Sequence, residues 1–412
     1  MKNKIKIFCC LFLLGSFTWN LTDPAMASAE EAKPDLQAKS YILLDFHSGE
    51  VLDEKNAEVP RAPASMTKMM TVFVVLDQIK SGKIHWNDVV TVSPRAAAIN
   101  EAQIGLVPGE KITVRQLFIA TLVESANDAA VALAEYVGGT EENFVAMMNQ
   151  KAKELGLTHT HFRCASGLDF RLYPDPPNVP GQHVMSAHDT AILATKLIQT
   201  YPEILKTTSI PHYTFYKGTK RQLKVTNWDL MLPGLKFSYQ GVDGLKTGHT
   251  DSAGYCFTGT ARRGDFRLIS VVMGTPSDSH RFLETKKLFD YGFHEFVPQV
   301  LVKKGEPIPG AKALALPNGV ERTVPVTVER SVELPIHKGE RDRYQVKVTF
   351  KPNLKAPLKQ GAVVGEAQVL YNGEPVKGIA PIQVVTAKAA EQASWIRLFF
   401  REIGDTVRNW FD

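Results

Sequence analysis

Ser65-Met66-Thr67-Lys68 leads straight into Met69-Met70-Thr71-Val72-Phe73-Val74-Val75-Leu76, an apolar run that reads as a helix. On a helix, residues three apart share a face, which brings the Lys68 amine within hydrogen-bond reach of the Ser65 hydroxyl. A serine hydroxyl is a weak nucleophile near neutral pH and needs a base to take its proton as it attacks. A lysine serves as that base only when burial or nearby positive charge lowers its pKa. The rest of the chain is therefore expected to supply a second cation, a positioning shell and a substrate groove. Alone, the pattern carries little weight, because at average composition a chain of 412 residues shows it roughly once.

Working outward, the helix is expected to run to about Lys80 and stop at Ser81-Gly82. Upstream, residues 40–52 read as two strands around a turn at Ser48-Gly49, joined to Ser65 by a polar, proline-containing connector. Downstream, helical spacing runs from Thr113 to Glu124, then over Ala129 to Tyr136, Glu141 to Leu155 and Ser186 to Gln199. Residues 173–181, Tyr-Pro-Asp-Pro-Pro-Asn-Val-Pro-Gly, cannot form regular structure and are expected to border a cleft. Residues 241–248, 253–261 and 266–274 read as adjacent antiparallel strands, the last two joined at Arg262-Arg263-Gly264-Asp265. Segregated helices and strands of this kind fit an α+β domain with helices packed on an antiparallel sheet.

Beyond about residue 296 the helical period disappears. Tyr344–Phe350 alternates, and Asn372-Gly373 is a strong hairpin signal, so a small all-β domain is expected over 296–387. Over 391–412, Trp395, Ile396, Phe399, Ile403, Val407, Trp410 and Phe411 fall on one helical face, opposite Arg397, Arg401, Glu402, Asp405 and Arg408. Such a helix suits a membrane interface; the competing expectation is a helix docked on the body or joining two copies. Three cations against four anions in this stretch mean that attachment would rest on apolar burial more than on anionic lipid.

The chain begins Met1-Lys2-Asn3-Lys4-Ile5-Lys6, continues apolar to Phe17 and reaches Ala25-Met26-Ala27-Ser28-Ala29. This is the pattern of a secretory signal peptide over 1–29. Cys9 and Cys10 leave with it, so the exported chain keeps Cys164 and Cys256, too few for a disulfide scaffold. Both are read as free thiols, Cys256 buried and Cys164 partly exposed. The formal charge of +5 lies mostly in the β-region, where residues 296–390 carry 14 cations and 8 anions; no basic-aromatic stripe points to nucleic acid.

Three motifs line up in order: Ser65-x-x-Lys68 at a helix start, Ser125-Ala126-Asn127 in an interhelix loop, and Lys246-Thr247-Gly248 on a strand. Their order, spacing and placement make joint coincidence improbable. Together with Pro63-Ala64, Asp128-Ala129-Ala130, His249-Thr250 and Ala253-Gly254-Tyr255, they make the chain resemble the penicillin-recognising serine peptidases, and within them the low-molecular-mass D-alanyl-D-alanine carboxypeptidases.

The resemblance implies a transpeptidase/β-lactamase-like domain over 30–295, the β-domain, a terminal anchor and a place at the outer face of the cytoplasmic membrane. The substrates it implies are peptidoglycan stem peptides, with β-lactams as inhibitors, and it implies no cofactor and no metal. Ser65 becomes the acylated nucleophile and Lys68 its base, held neutral with help from Lys246. Ser125 relays a proton to the leaving nitrogen, and Asn127 bonds substrate backbone and Lys68. Lys246, Thr247 and Gly248 meet the terminal carboxylate, and the backbone N–H groups of Ser65 and His249 form the oxyanion hole. The His249 side chain is a bystander.

Plainer readings compete. Ser125 and Asn127 are favoured helix caps, Lys246-Thr247-Gly248 could end an exposed strand, and Arg281 suits a surface ion pair as well as the groove. A β-lactamase shares the motifs, but no glutamate-leucine-asparagine pattern lies between Ser125 and Lys246 to activate a deacylating water. A zinc peptidase would have to use His159-Thr160-His161 with Cys164, which lacks a regular ligand spacing. A non-catalytic penicillin-binding sensor would leave peptides uncut.

Overall fold

The computed structural model describes residues 33–411, and the expected signal peptide at 1–29 lies outside them. Strands β1 (Ser40–Asp45) and β2 (Val51–Lys55) form the expected hairpin. The three later strands β3 (Val242–Thr250), β4 (Gly254–Arg263) and β5 (Phe266–Thr275) join them in an antiparallel sheet of order β2-β1-β5-β4-β3. Every residue of β1 is buried, because side chains alternate between two cores rather than between core and water. Ile42 and Leu44 enter one core, and Leu43 enters the other.

The first core is built around helix α1 (Lys68–Lys80), whose residues from Lys68 to Leu76 are all buried. A helix apolar on every side must be enclosed. It packs against α2 (Asn127–Gly138), α3 (Glu141–Glu154) and α4 (Ala187–Thr200). On the other face of the sheet, α5 (Asp278–Glu295) sets Phe282, Leu288 and Phe289 against Phe257 and Leu268.

Two expected helices have different starts or ends. Ala64–Thr67 is a single 3₁₀ turn, and α-helical geometry begins only at Lys68. The 113–124 segment is α-helical over Val114–Ile119, closed at its start by a Thr113/Gln116 capping box, and then widens into a π-type turn over Ala120–Glu124. That widening delivers Ser125 to the site in a left-handed conformation, φ 61°.

From Phe296 to Thr386 the regular structure is almost all strand, in one six-stranded and one two-stranded sheet, and Val324, Val326, Val364, Val369 and Val384 join Leu334 and Ile336 in a separate core. The Asn372-Gly373 turn is present with φ of 51° and 88°, the two positive values that a tight hairpin of this kind requires.

The terminal helix α6 (Trp395–Phe411) forms as expected and docks on the body with one side only. Its polar side docks on the β-domain: Arg401 donates to the Gly319 and Val320 carbonyls at 2.7 and 2.6 Å, and Arg322 pairs with Asp405 at 2.8 Å. Its apolar side stays open, with Trp395, Phe399 and Phe400 exposed by 77, 54 and 67 %. No helix among the described residues is long and apolar enough to cross a membrane.

Candidate active site

Segment 63–68 is held in an unusual shape. Ala64 has φ 48°, in the left-handed region that residues other than glycine rarely adopt. The Thr67 hydroxyl donates to the Ala64 carbonyl at 2.8 Å and is itself 2.8 Å from His183 Nε2. Because the Arg163 N–H donates to His183 Nδ1, the histidine proton sits on Nε2 and points at Thr67. Burial pushes this histidine down to about 3, so it stays neutral. Two glycines allow the close packing. A Cβ on Gly167 would lie 1.9 Å from the Ala64 carbonyl oxygen, and one on Gly248 of β3 would lie 2.9 Å from the Pro63 oxygen.

Lys68 is fully buried, and its Nζ lies 2.9 Å from Ser65 Oγ, 2.7 Å from Asn127 Oδ1 and 2.7 Å from the Ser166 carbonyl. Asn127 Nδ2 donates to the Asn100 carbonyl, which fixes the amide with Oδ1 towards the lysine. Two of these three partners only accept. A neutral Lys68 therefore spends its two N–H groups on Asn127 and Ser166 and turns its lone pair to the Ser65 hydroxyl. Burial lowers this amine to about 7, against the opposing influence of Cys164 and Asp128.

Lys246 is buried too, and its Nζ donates to Ser125 Oγ at 2.9 Å and to the Thr247 carbonyl at 3.0 Å. Its pKa is pushed well below the usual lysine value, first by burial, then by the charges of Lys68 and Arg281. Burial is the first cause that brings Lys68 near neutrality, and the two buried amines disfavour each other's charge.

The motif residues Ser65, Ser125, Asn127, Thr247, Gly248 and His249 line one cleft of about 670 Å³, with both lysines behind its wall. Neither Ser125 nor Asn127 caps α2, since Ala126 occupies the cap without a side-chain bond. Lys246-Thr247-Gly248 is enclosed rather than an exposed strand end. The His249 ring stacks on Tyr255 with centroids 4.1 Å apart at the cleft edge.

Residues 26–277 match the family described as D-alanyl-D-alanine carboxypeptidase, and residues 296–392 match the C-terminal domain of penicillin-binding protein 5. The chain belongs to the D-alanyl-D-alanine carboxypeptidase family. It is 36 % identical over 410 residues to the D-alanyl-D-alanine carboxypeptidase DacC of Escherichia coli, spanning 96 % of each chain. With DacF of Bacillus subtilis the identity is 34 % over 374 residues, 90 % of each. Among solved structures, penicillin-binding protein 5 of Haemophilus influenzae superposes with a TM-score of 0.74 at 32 % identity, covering 88 % of this chain and 99 % of that one. The cefotaxime-bound penicillin-binding protein D2 of Listeria monocytogenes covers 64 % of this chain and all of its own, with a TM-score of 0.56 at 36 % identity.

This carboxypeptidase carries cleft groups that its motifs do not announce. Arg281 is 2 % exposed, lines the cleft, pairs with Asp278, donates to the Gly248 carbonyl at 3.3 Å and leaves its Nε without a partner, so the expected ion pair and the expected groove position are both present, but the arginine itself is buried. Asp229 is buried beside Lys246 and Arg281; desolvation raises it to about 7 and those cations pull it back. Glu124, next to Ser125, is also raised to about 7, first by desolvation, while Lys246 opposes. Asp128 accepts backbone N–H bonds from Ile104 and Leu106 and so pins one wall. Cys164, expected to be partly exposed, is fully buried, with its Sγ accepting from the Gly167 N–H at 3.3 Å. His159 pairs with Glu58 at 3.1 Å instead of turning to Cys164.

Proposed function

We propose that Ser65 is the nucleophile through which this serine D-Ala-D-Ala carboxypeptidase cleaves its substrate, with Lys68 as base. The observation that supports this most directly is the 2.9 Å approach of Lys68 Nζ to Ser65 Oγ, with the two competing N–H directions occupied by Asn127 and Ser166. Ser65 Oγ attacks the carbonyl carbon of the penultimate D-alanine as Lys68 takes its proton. The tetrahedral oxyanion is assigned to the backbone N–H groups of Ser65 and His249; donors of this kind contribute about 3 kcal/mol each. As the C–N bond breaks, Ser125 passes a proton to the leaving amine and is reprotonated at the expense of Lys68, which thereby gives up the proton it took from Ser65 and is neutral again, while Lys246, 2.9 Å from Ser125, holds the hydroxyl in place. Water then attacks the ester with Lys68 again as base, releasing Ser65 and the shortened peptide.

The terminal carboxylate of a stem pentapeptide is assigned to Lys246, Thr247 and Arg281, with Gly248 giving it room and Asn127 holding the substrate backbone. A β-lactam acylates Ser65 by the same attack and leaves slowly. We further assign residues 1–29 to export, 30–295 to catalysis, 296–387 to a spacer, and 391–412 to a peripheral anchor on the outer face of the cytoplasmic membrane. The exposed apolar side of α6 supports that anchor.

Penicillin labelling followed by peptide mapping, run beside D-alanine release from a pentapeptide, tests the core of this reading. Label on Ser65, lost together with D-alanine release in Ser65→Ala, is the expected result. Label on another residue, or rapid turnover of benzylpenicillin, would overturn it.

A further inference from the structure

Behind the cleft wall opposite β3, the loop 164–168 is tied from within by buried groups that the reaction itself does not use. Ser166 presents its carbonyl to Lys68, and Ala165 accepts from the Thr71 hydroxyl of α1 at 2.6 Å. The other side of the loop is held by α3. Glu141, in the first turn of that helix and fully buried, accepts on Oε1 from the Ala165 N–H at 2.9 Å and from the Tyr173 hydroxyl at 3.0 Å. The Tyr173 hydroxyl lies 2.8 Å from Ser166 Oγ, which in turn accepts the Leu168 N–H at 3.2 Å. Glu141 Oε2 makes no hydrogen bond and faces Arg95 at 3.5 Å, and Arg95 also donates to the Asp175 carbonyl of the separate 173–181 stretch at 3.2 Å.

Placing a carboxylate where nothing is solvated is costly unless its partners are fixed. Here desolvation raises Glu141 to about 7 while the Ala165 N–H, the Arg95 charge and the Tyr173 hydroxyl oppose it, and two of the oriented bonds, from the Ala165 N–H and between Tyr173 and Ser166, end on the loop that carries the Ser166 carbonyl. An apolar side chain of similar size would fill the space more cheaply. What the polar set adds is orientation of one carbonyl.

We propose that Glu141 and Tyr173 are positioning residues for the base: acting through Ala165 and Ser166, they hold the Ser166 carbonyl against Lys68 Nζ and so keep the lysine lone pair directed at Ser65. This rests on the assignment of Lys68 as base. If the carbonyl swings away, an N–H of Lys68 is freed to point at Ser65 Oγ, and the amine then competes with its own acceptor role. Acylation slows, while the outer wall that meets the ligand is left in place.

Stopped-flow acylation by a chromogenic cephalosporin separates the initial binding constant from the acylation rate constant, and calorimetry on the same samples follows folding. Tyr173→Phe removes only the hydroxyl. It is expected to lower the acylation rate constant about tenfold or more, the scale of a small misplacement of a reacting group, with the binding constant within twofold and the melting temperature close to wild type. Glu141→Gln keeps an oxygen acceptor and is expected to recover most of the rate that Glu141→Leu loses. An acylation constant for Tyr173→Phe within twofold of wild type, or a loss confined to binding, would overturn the proposal. So would a Glu141→Gln variant no faster than Glu141→Leu at equal folded fraction. If Lys68 were not the base, Lys68→Met would acylate normally, which separates failure of that assignment from failure of this one.

Discussion

The catalytic cleft and the terminal helix depart from ordinary burial in opposite directions. At the cleft two lysines, an asparagine and several carboxyl groups are withdrawn from water, whereas α6 leaves Trp395, Phe399, Phe400, Ile403 and Val407 in it. In most proteins charged groups are solvated and large apolar clusters are covered. The β-domain between the two regions follows that custom, with valines inside and alternating strands such as Tyr344–Phe350. The contrast teaches where the sequence was chosen for something besides stability. Buried amines cost folding energy, and under the proposed mechanism desolvation serves the reaction by leaving one of them unprotonated near neutral pH; under the proposed anchoring the uncovered apolar face is retained for a lipid surface.

The sharpest way to break the first half of the comparison is to keep the charge in the cleft and remove its ability to be lost. A guanidinium stays protonated at every accessible pH, so Lys68→Arg preserves the cation and abolishes the base. D-alanine release and penicillin acylation are both expected to fall about a thousandfold, within the range that general bases contribute. A variant retaining a tenth of wild-type activity would show that neutrality is not what the site exploits. The wild-type pH profile should agree. With Lys68 lowered to about 7, the reactive neutral form is lost as pH falls through that value, so kcat/KM declines on the acid side by about tenfold per pH unit. A profile still flat at pH 5 would contradict it.

These two regions were not equally legible. Spacing alone placed Ser65 beside Lys68, and three short motifs located the cleft, because helix and strand periods are local and survive in sequence. What was hidden depends on enclosure. Any residue has a backbone carbonyl, so nothing marked Ser166 as the partner of Lys68. Arg281 looks like a surface ion pair from Asp278 alone, and its burial follows from the packing of α5 on β4 and β5, which brings it to the Gly248 carbonyl of β3. Cys164 reads as half-exposed in a polar loop until α1 and α3 are closed over it. The main cause of the Lys68 shift was hidden for the same reason: a second lysine is visible in the sequence, whereas desolvation is a property of the assembled fold. In α6 the apolar stripe was legible, but the docking of Arg401 was not, since its acceptors are carbonyls of residues 319 and 320.

The second half of the comparison is tested on the helix. Replacing Phe399 and Ile403 by glutamate removes two apolar side chains exposed by 54 and 46 % from the open face. Burial of such side chains is worth roughly 1.5–3 kcal/mol each, so partition onto phosphatidylcholine vesicles should fall at least about a hundredfold, with D-alanine release from a soluble pentapeptide unchanged. With three cations against four anions in residues 391–412, adding anionic lipid should strengthen wild-type binding little. Undiminished sedimentation of the double variant with vesicles would mean that the exposed face serves another purpose.

A smaller effect distinguishes an anchor that is merely tethered from one that is oriented. Arg401 is half-buried, and its two bonds to carbonyls of the β-domain are the best-formed link between that domain and α6. The Arg322–Asp405 pair has both side chains about half exposed, and such pairs contribute less than about 1 kcal/mol. Arg401→Ala should therefore weaken docking by about 1 kcal/mol, speeding amide exchange across residues 395–407 roughly fivefold in the free protein, while Asp405→Asn changes it less than twofold. Vesicle affinity should hold in both, because neither substitution touches the apolar side. If docking fixes how the protein stands on a bilayer, Arg401→Ala loses activity on an immobilised wall substrate while keeping it on a soluble pentapeptide. Equal exchange rates in wild type and Arg401→Ala would show instead that the apolar face is held outward by something other than the polar contacts behind it.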